Sequence, residues 1–249
     1  MKLTVLGCAG SFPGPESACS AYLVEAEGFR LMLDFGTGSM SALQRFSGLN
    51  TVDAVLLSHL HADHIFDACQ YVVVRRYAPA GPLPPIPVYA PPGAPERLAT
   101  AYGGPDEGPV DDVYSFYTLQ PGSFPIGPFQ VTVDRVNHPV ETYGVRVEHA
   151  GRVLVYSADT APCEALLRLA QGADVLLCEA SYLDGMDNPP DLHLTGREAG
   201  ECATKAGVGR LLLTHLVTAW GSEMLTFEAA SAEYDGSVEI VRPGSRYLI

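Results

Sequence analysis

Basic residues are scarce in this chain. Lys and Arg number 15 against 29 Asp and Glu in 249 residues, a formal net charge of −14. A protein that grips duplex DNA or long RNA draws most of its non-specific affinity from cations laid along phosphates, so extended nucleic acid is not an expected partner. No run of about 18 apolar residues occurs, which excludes a helical membrane span. The opening MKLTVLGCAGSFPGP carries only a few apolar residues before Gly and Pro, and reads as a first strand and turn rather than a signal peptide. The six cysteines, at 8, 19, 69, 163, 178 and 202, include no C-x-x-C pair. They read as reduced core residues of a cytoplasmic protein and argue against a Cys-only zinc site. No internal repeat is visible, so solenoids and propellers are out.

What is present is apolar content of 47%, with 25 Gly and 20 Pro. That supports an ample core cut by many tight turns, read as one domain over 1–249. Strands are expected at 2–7, 19–26 and 30–35, a helix at 38–48, a strand at 51–57 and a helix at 63–76. The Pro-rich stretch 78–95 should wrap the surface, unable to pair in a central sheet, with a short strand at PVYA. Weak helices follow at 94–102 and 110–118. The second half repeats the pattern: strands at 129–136, 142–148 and 151–156, helix 162–171, strand 174–179, helix 195–206, strand 210–214, helix 222–234, and strands 237–241 and 245–249. Strands alternating with helices imply a layered α/β architecture. In TGRE, Thr195 and Glu198 form a capping-box signature, which sets His193 in the loop before a helix.

The chemistry concentrates in SHLHADH, residues 58–64, at the end of an apolar strand. Open α/β sheets place their sites at such edges. His59 and His61 alternate in extended backbone and can face one cavity. Asp63 and His64 start the next helix. Imidazole and carboxylate suit Zn²⁺, Mn²⁺ or Fe²⁺. His138, Asp159, His193 and His215 also follow predicted strands, in positions suited to the same cleft. His149, in a hairpin, reads as a surface residue.

HLHADH with later His, Asp and His resembles the metallo-β-lactamase fold in its H-x-H-x-D-H branch, from TVLGCAGS through LMLDFGTG to LLLTH. The resemblance implies a four-layer αββα sandwich and two divalent metal ions. His59, His61 and His138 would bind the first ion, Asp63, His64 and His215 the second, and Asp159 would bridge them. Asp34 would orient a ligand. CEASY and DLHLTG are similar to motifs of the ribonuclease Z branch, which implies that His193 meets the scissile phosphate and Glu179 orients it. Asp63, His193 and Glu179 form the implied catalytic set, with a hydroxide held by the metal pair as nucleophile. Only 20 residues separate His138 from Asp159, where ribonuclease Z inserts its arm for transfer RNA. TVLGCAGSFPGPES, LLSHLHADH, VRRYAP, LCEASY and PPDLHLTGREAG together look like bacterial atypical class II cyclic-nucleotide phosphodiesterases. A small phosphodiester such as cyclic AMP is therefore the expected substrate. Transfer-RNA 3′ processing and lactone or thioester hydrolysis are the alternatives, and a homodimer is an open option. Arg75 and Arg76 are weaker candidates for a phosphate or purine contact, with the helix dipole as their local explanation. Tyr182 and Trp220 read first as packing residues and second as pocket lining.

Overall fold

A computed structural model describes residues 1–104, 108–217, 219 and 223–249. In chain order the strands of the first half are β1 (Lys2–Ala9), β2 (Ala18–Cys19), β3 (Ala21–Ala26), β4 (Phe29–Leu33), β5 (Ala54–Leu56), β6 (Ile86–Ala90) and β7 (Tyr114–Thr118). Its helices are α1 (Ser39–Phe46), α2 (Ala62–Arg76) and α3 (Ala94–Tyr102). The second half holds β8 (Gly122–Ile126), β9 (Phe129–Arg135), β10 (Tyr143–His149), β11 (Arg152–Tyr156), β12 (Val175–Glu179), β13 (Arg210–Thr214), β14 (Ser237–Ile240) and β15 (Arg246–Leu248). Its helices are α4 (Glu164–Ala170), α5 (Gly196–Ala206) and α6 (Glu223–Glu233).

One sheet runs β15-β1-β3-β4-β5-β6-β7, with β2 beside β1, and the other runs β14-β13-β12-β11-β10-β9-β8. Each is antiparallel on one side and parallel on the other, with β4 to β7 and β11 to β14 parallel. Three apolar layers alternate with them. Leu3, Tyr22, Leu31, Val145, Tyr156, Leu177 and Leu212 fill the space between the sheets. Leu57, Ile65, Tyr71, Val72 and Leu98 pack α1, α2 and α3 on the outer face of the first sheet. Leu166, Leu169, Ala199, Ala203 and Ala230 do the same for α4, α5 and α6 on the second. The result is the four-layer αββα sandwich. Each fully buried Leu in these layers stabilises it by about 1.5–3 kcal/mol.

The expected elements appear with small shifts of boundary, with three departures. Residues 110–118 are not helical: a turn leads into β7, which pairs with β6 from Ile86↔Tyr114 to Ala90↔Thr118. Tyr, Phe and Thr in YSFYT favour a pleated surface, and that preference wins. Strand β8 is not among the expected strands, and it carries Pro125. It is an edge strand, pairing only with β9, where a missing N–H costs no ladder bond. The Pro-rich stretch does enter the sheet, since β6 lies between β5 and β7. Pairing with β5 begins at Val55↔Val88, one residue past Pro87.

Candidate active site

The parallel strands aim their C-terminal ends at one edge of the sandwich. Asp34 follows β4, Ser58 to His64 follow β5, Asp159 follows β11, Glu179 ends β12 and His215 follows β13. Asp34, Ala158 and His215 have φ of 56°, 54° and 56°. This left-handed region is costly for residues with a Cβ and is found where surrounding structure holds a functional turn. Here it turns the chain out of each strand toward the shared edge. Gly36 lets the turn after β4 press on the first turn of α2: a methyl group there would lie 1.9 Å from the Asp63 carbonyl oxygen. Asp63 sits near the α2 N-terminus, where the helix dipole favours a carboxylate.

Three groups of donors meet at this edge, the third of them Glu179, His193 and His215. The first is His59, His61, His138 and Asp159; the second is Asp63, His64, Asp159 and His215. In the first, His61 Nδ1 lies 3.1 Å from His59 Nε2 and 3.2 Å from His138 Nε2, and Asp159 Oδ2 lies 3.6 Å from His59 Nε2. In the second, His215 Nε2 lies 3.2 Å from both His64 Nε2 and Asp63 Oδ2. Asp159 Oδ1 lies 3.3 Å from His64 Nε2 and 3.4 Å from His215 Nε2. All seven side chains named for the metals in the sequence reading are therefore together.

The surrounding hydrogen bonds settle which nitrogen of each ring faces inward. Ser58 Oγ gives its one proton to Asp34 Oδ2 at 2.8 Å, so it accepts from His59 Nδ1–H at 3.1 Å. Ser181 Oγ gives its proton to the His215 carbonyl at 2.7 Å and accepts from His215 Nδ1–H at 2.8 Å. His138 donates Nδ1–H to the Leu192 carbonyl at 2.9 Å, and His64 donates Nδ1–H to Asp34 Oδ2 at 2.7 Å. Each leaves Nε2 to face the clusters. His61 faces them through Nδ1. Such partners on the far nitrogen are what orient metal-binding imidazoles.

Lone pairs gathered at about 3 Å repel unless a cation lies among them. Asp159 Oδ1, fully buried, has no hydrogen-bond donor among the described residues. Burial, then the neighbouring His64, drives His59 well below its ordinary pKa, and burial likewise lowers His61 and His138. Those three rings are held neutral. Burial alone would depress His64 too, but the Asp159 and Asp34 carboxylates outweigh it and push the ring well above its ordinary value. The second cluster thus calls for positive charge at its centre. Burial would raise Asp63 and Asp159, but contact with His215 and His64 holds both below the usual carboxylate range. An oxygen and nitrogen donor set of this kind fits divalent Zn²⁺, Mn²⁺ or Fe²⁺.

His193 and Glu179 stand beside these clusters. His193 Nδ1 lies 2.8 Å from Glu179 Oε1. The His193 ring lies 5.5 Å, centre to centre, from those of His138 and His215. Glu179 is fully buried and accepts N–H bonds from Thr160 (2.9 Å) and Ser181 (3.1 Å). Burial pulls the His193 pKa down, but the charge and hydrogen bond of Glu179 outweigh it and push the ring up to about 9. The loop carrying His193 is tied to the ligand edge through Leu192 O and through Asp191 Oδ1, which accepts from Asn137 Nδ2 at 2.8 Å. The capping box after it is formed as read: Thr195 Oγ1 accepts from Glu198 N, and Glu198 Oε2 from Thr195 N.

Other expectations resolve differently. Arg76 pairs with Asp112 at 2.6 and 2.7 Å, and buried Arg75 donates to the Pro84 carbonyl, so both tie the end of α2 to the segment between residues 84 and 112. Tyr182 meets the His193 ring edge-to-face at 5.1 Å and 89°. Trp220 lies outside the described residues. His149 is half-buried, bonded to the Pro128 carbonyl at 3.1 Å, rather than a surface residue. Ser58, Tyr156 and Ser181 also serve the site, and residue type alone does not mark them. Ser58 and Ser181 stand in LLSHLHADH and CEASY, where a hydroxyl carries no signal of its own. Tyr156, which donates to Asp34 Oδ2 at 2.8 Å, lies 122 residues away from its partner.

Comparison with known proteins agrees with this geometry. Residues 30–216 match the family described as Beta-lactamase superfamily domain. The chain is 43% identical to an uncharacterised protein of Mycobacterium leprae, covering 100% of this chain and 89% of that one. It is 31% identical to the probable metallo-hydrolase YhfI of Bacillus subtilis over 98% of both. The crystal structure of YhfI superposes with a TM-score of 0.88, covering 99% of this chain and 98% of that one at 29% identity. Ribonuclease Z of Mycolicibacterium gilvum is 32% identical, covering 96% of this chain and 93% of that protein. Its fold, its two His/Asp clusters and these identities agree: the chain belongs to the beta-lactamase superfamily, as a metal-dependent hydrolase akin to YhfI and ribonuclease Z.

Proposed function

We propose that the protein is a two-metal phosphodiesterase acting on small phosphodiesters, with cyclic nucleotides such as cyclic AMP as the substrate class. His59, His61 and His138 would hold one Zn²⁺, Asp63, His64 and His215 a second, and Asp159 both. Bound there, two divalent ions supply Lewis acidity toward a phosphoryl oxygen and lower the pKa of water. The observation that carries the phosphodiester reading is the Glu179–His193 pair at the rim of the clusters. His193 Nδ1–H is committed to Glu179, which leaves the Nε2 proton for the departing oxygen. Cleaving a cyclic phosphodiester releases an alkoxide, a poor leaving group, and a proton delivered in the transition state is the help it needs. Glu179 keeps the imidazole charged and aimed, itself held by the Thr160 and Ser181 N–H groups. Asp63 joins them in the catalytic set as the carboxylate that belongs to the second cluster alone, Asp159 being shared.

Substrate size follows from two features. Between His138 and Asp159 the chain makes only the β10–β11 hairpin, and its net charge of −14 opposes a polyanion. A second reading, transfer-RNA 3′ processing, is favoured by the identity to ribonuclease Z. Hydrolysis of cyclic AMP, a transfer-RNA precursor, a lactone and a thioester by the metal-loaded protein separates the readings. His193→Ala should keep its metals and lose about 10²–10⁴-fold on cyclic AMP. Full activity in that variant removes His193 from the reaction. Turnover of the lactone or thioester alone overturns the phosphodiester assignment.

A further inference from the structure

Among the described residues, the hydrogen bonds of the turn that follows β1 reach only one of the two clusters. Ala9 bridges to Leu216 in parallel, and Gly10 N donates to the Leu216 carbonyl at 3.1 Å. This stitch joins the end of β1, in the first sheet, to the segment beyond β13, in the second. It leaves no room at Gly10, which is buried. A methyl group there would stand 2.4 Å from the His215 carbonyl oxygen and 2.9 Å from its Nδ1. The next residue, Ser11, has φ of 63° and donates its backbone N–H to Asp63 Oδ2 at 2.9 Å. That is the oxygen 3.2 Å from His215 Nε2. Adjacent residues of one turn thus bear on His215 and Asp63, both members of the second cluster. No hydrogen bond among the described residues links either of them to His59, His61 or His138.

We infer that Gly10 and Ser11 are positioning residues for the second metal ion alone. Gly10 sets the depth of His215 by offering a bare Cα beside the carbonyl oxygen and Nδ1, the same two atoms that Ser181 hydrogen-bonds. Ser11 fixes one oxygen of Asp63 by a charge-assisted N–H bond, and its left-handed backbone aims that N–H. A donor shifted by a few tenths of an ångström from its ion loses affinity steeply, whereas the donors of the first cluster other than the shared Asp159, namely His59, His61 and His138, have no hydrogen bond to this turn among the described residues.

The inference rests on the two-ion reading, and metal content of the purified protein after dialysis tests each separately. Wild type should hold about two ions per chain, as the donor chemistry of the paired clusters implies. Gly10→Ala should fold, by circular dichroism, and hold about one, with the remaining ion on the first cluster in a Co²⁺ absorption spectrum. Ser11→Gly suits the left-handed φ and keeps the N–H, so it should still hold about two. Two ions in both wild type and Gly10→Ala, or loss of both ions together in that variant, overturns the inference while leaving the two-ion reading intact. Fewer than two in wild type overturns the reading itself. Should Gly10→Ala not fold, the wild-type protein carries the test by amide resonances during a Zn²⁺ titration. The Gly10 and Ser11 amides should shift with those of His64 and His215. Shifting with those of His61 and His138, or with neither set, overturns the inference.

Discussion

Nδ1 of His193 stands 2.8 Å from Oε1 of Glu179, a partly exposed imidazole on a fully buried carboxylate. Fourteen residues apart in the chain, the two are brought together by the loop that leaves β12, passes His138 and returns into α5. The pair converts burial, which works against a charged imidazole, into a site that keeps one.

This makes Glu179→Gln informative in two ways. The His193 pKa should fall from about 9 toward the ordinary 6.5. Any step that needs the imidazolium is lost as pH rises through that pKa, so the alkaline limb of the rate profile should move to lower pH. For stability, a raised folded-state pKa means the contribution is complete below about 6.5 and is lost as pH rises through about 9. Urea midpoints of wild type and variant should therefore differ near neutral pH and converge above about pH 10. Identical rate profiles would contradict the assignment.

Asp34 binds four donors, from Ser58 N (2.6 Å), Ser58 Oγ (2.8 Å), Tyr156 OH (2.8 Å) and His64 Nδ1 (2.7 Å). Asp34→Asn keeps the shape but replaces an acceptor oxygen and a charge. Affinity for the ion proposed to bind at His64 should fall about 10–100-fold, measured by competition with a coloured chelator.

Chelation should destabilise the fold as well as stop hydrolysis. Without ions, inward-facing ring nitrogens and the orphaned Asp159 Oδ1 are left without a cation. An ion present at a thousandfold its dissociation constant adds about 4 kcal/mol to stability. The thermal midpoint should drop on adding a chelator and recover with metal, and an unchanged midpoint would count against metal binding.

Arg76 supplies a negative control. Its pair with Asp112 is solvent-exposed, and such pairs contribute about 0–1 kcal/mol. Arg76→Ala should leave kcat and KM near wild type. A marked rise in KM would restore the substrate contact suggested by its place at the end of the motif helix.

How far the chain announced all this differs from residue to residue. Periodicity placed most strands and helices, because apolar runs ending in Gly, Pro or a cap report local geometry that the backbone obeys. It misplaced 110–118 and omitted β8, where the deciding partners are neighbouring strands rather than local residues. The donors that meet in the His/Asp clusters were legible from residue type and from the family resemblance, since His and Asp just past strand ends have few other reasons to stand there. Ser58, Tyr156, Ser181 and the Gly10–Ser11 turn were not legible. A hydroxyl or a backbone N–H becomes specific only when the fold sets it against a particular ring or carboxylate.

The sequence by itself determined the chemistry available: imidazoles, carboxylates and apolar strands in an order that allows one sandwich and one metal edge. Only the tertiary structure decided which nitrogen of each ring faces inward, which carboxylate oxygen lacks a donor and which imidazole stays charged. Those properties depend on distances between residues remote in the chain, and burial and hydrogen bonding act through distance.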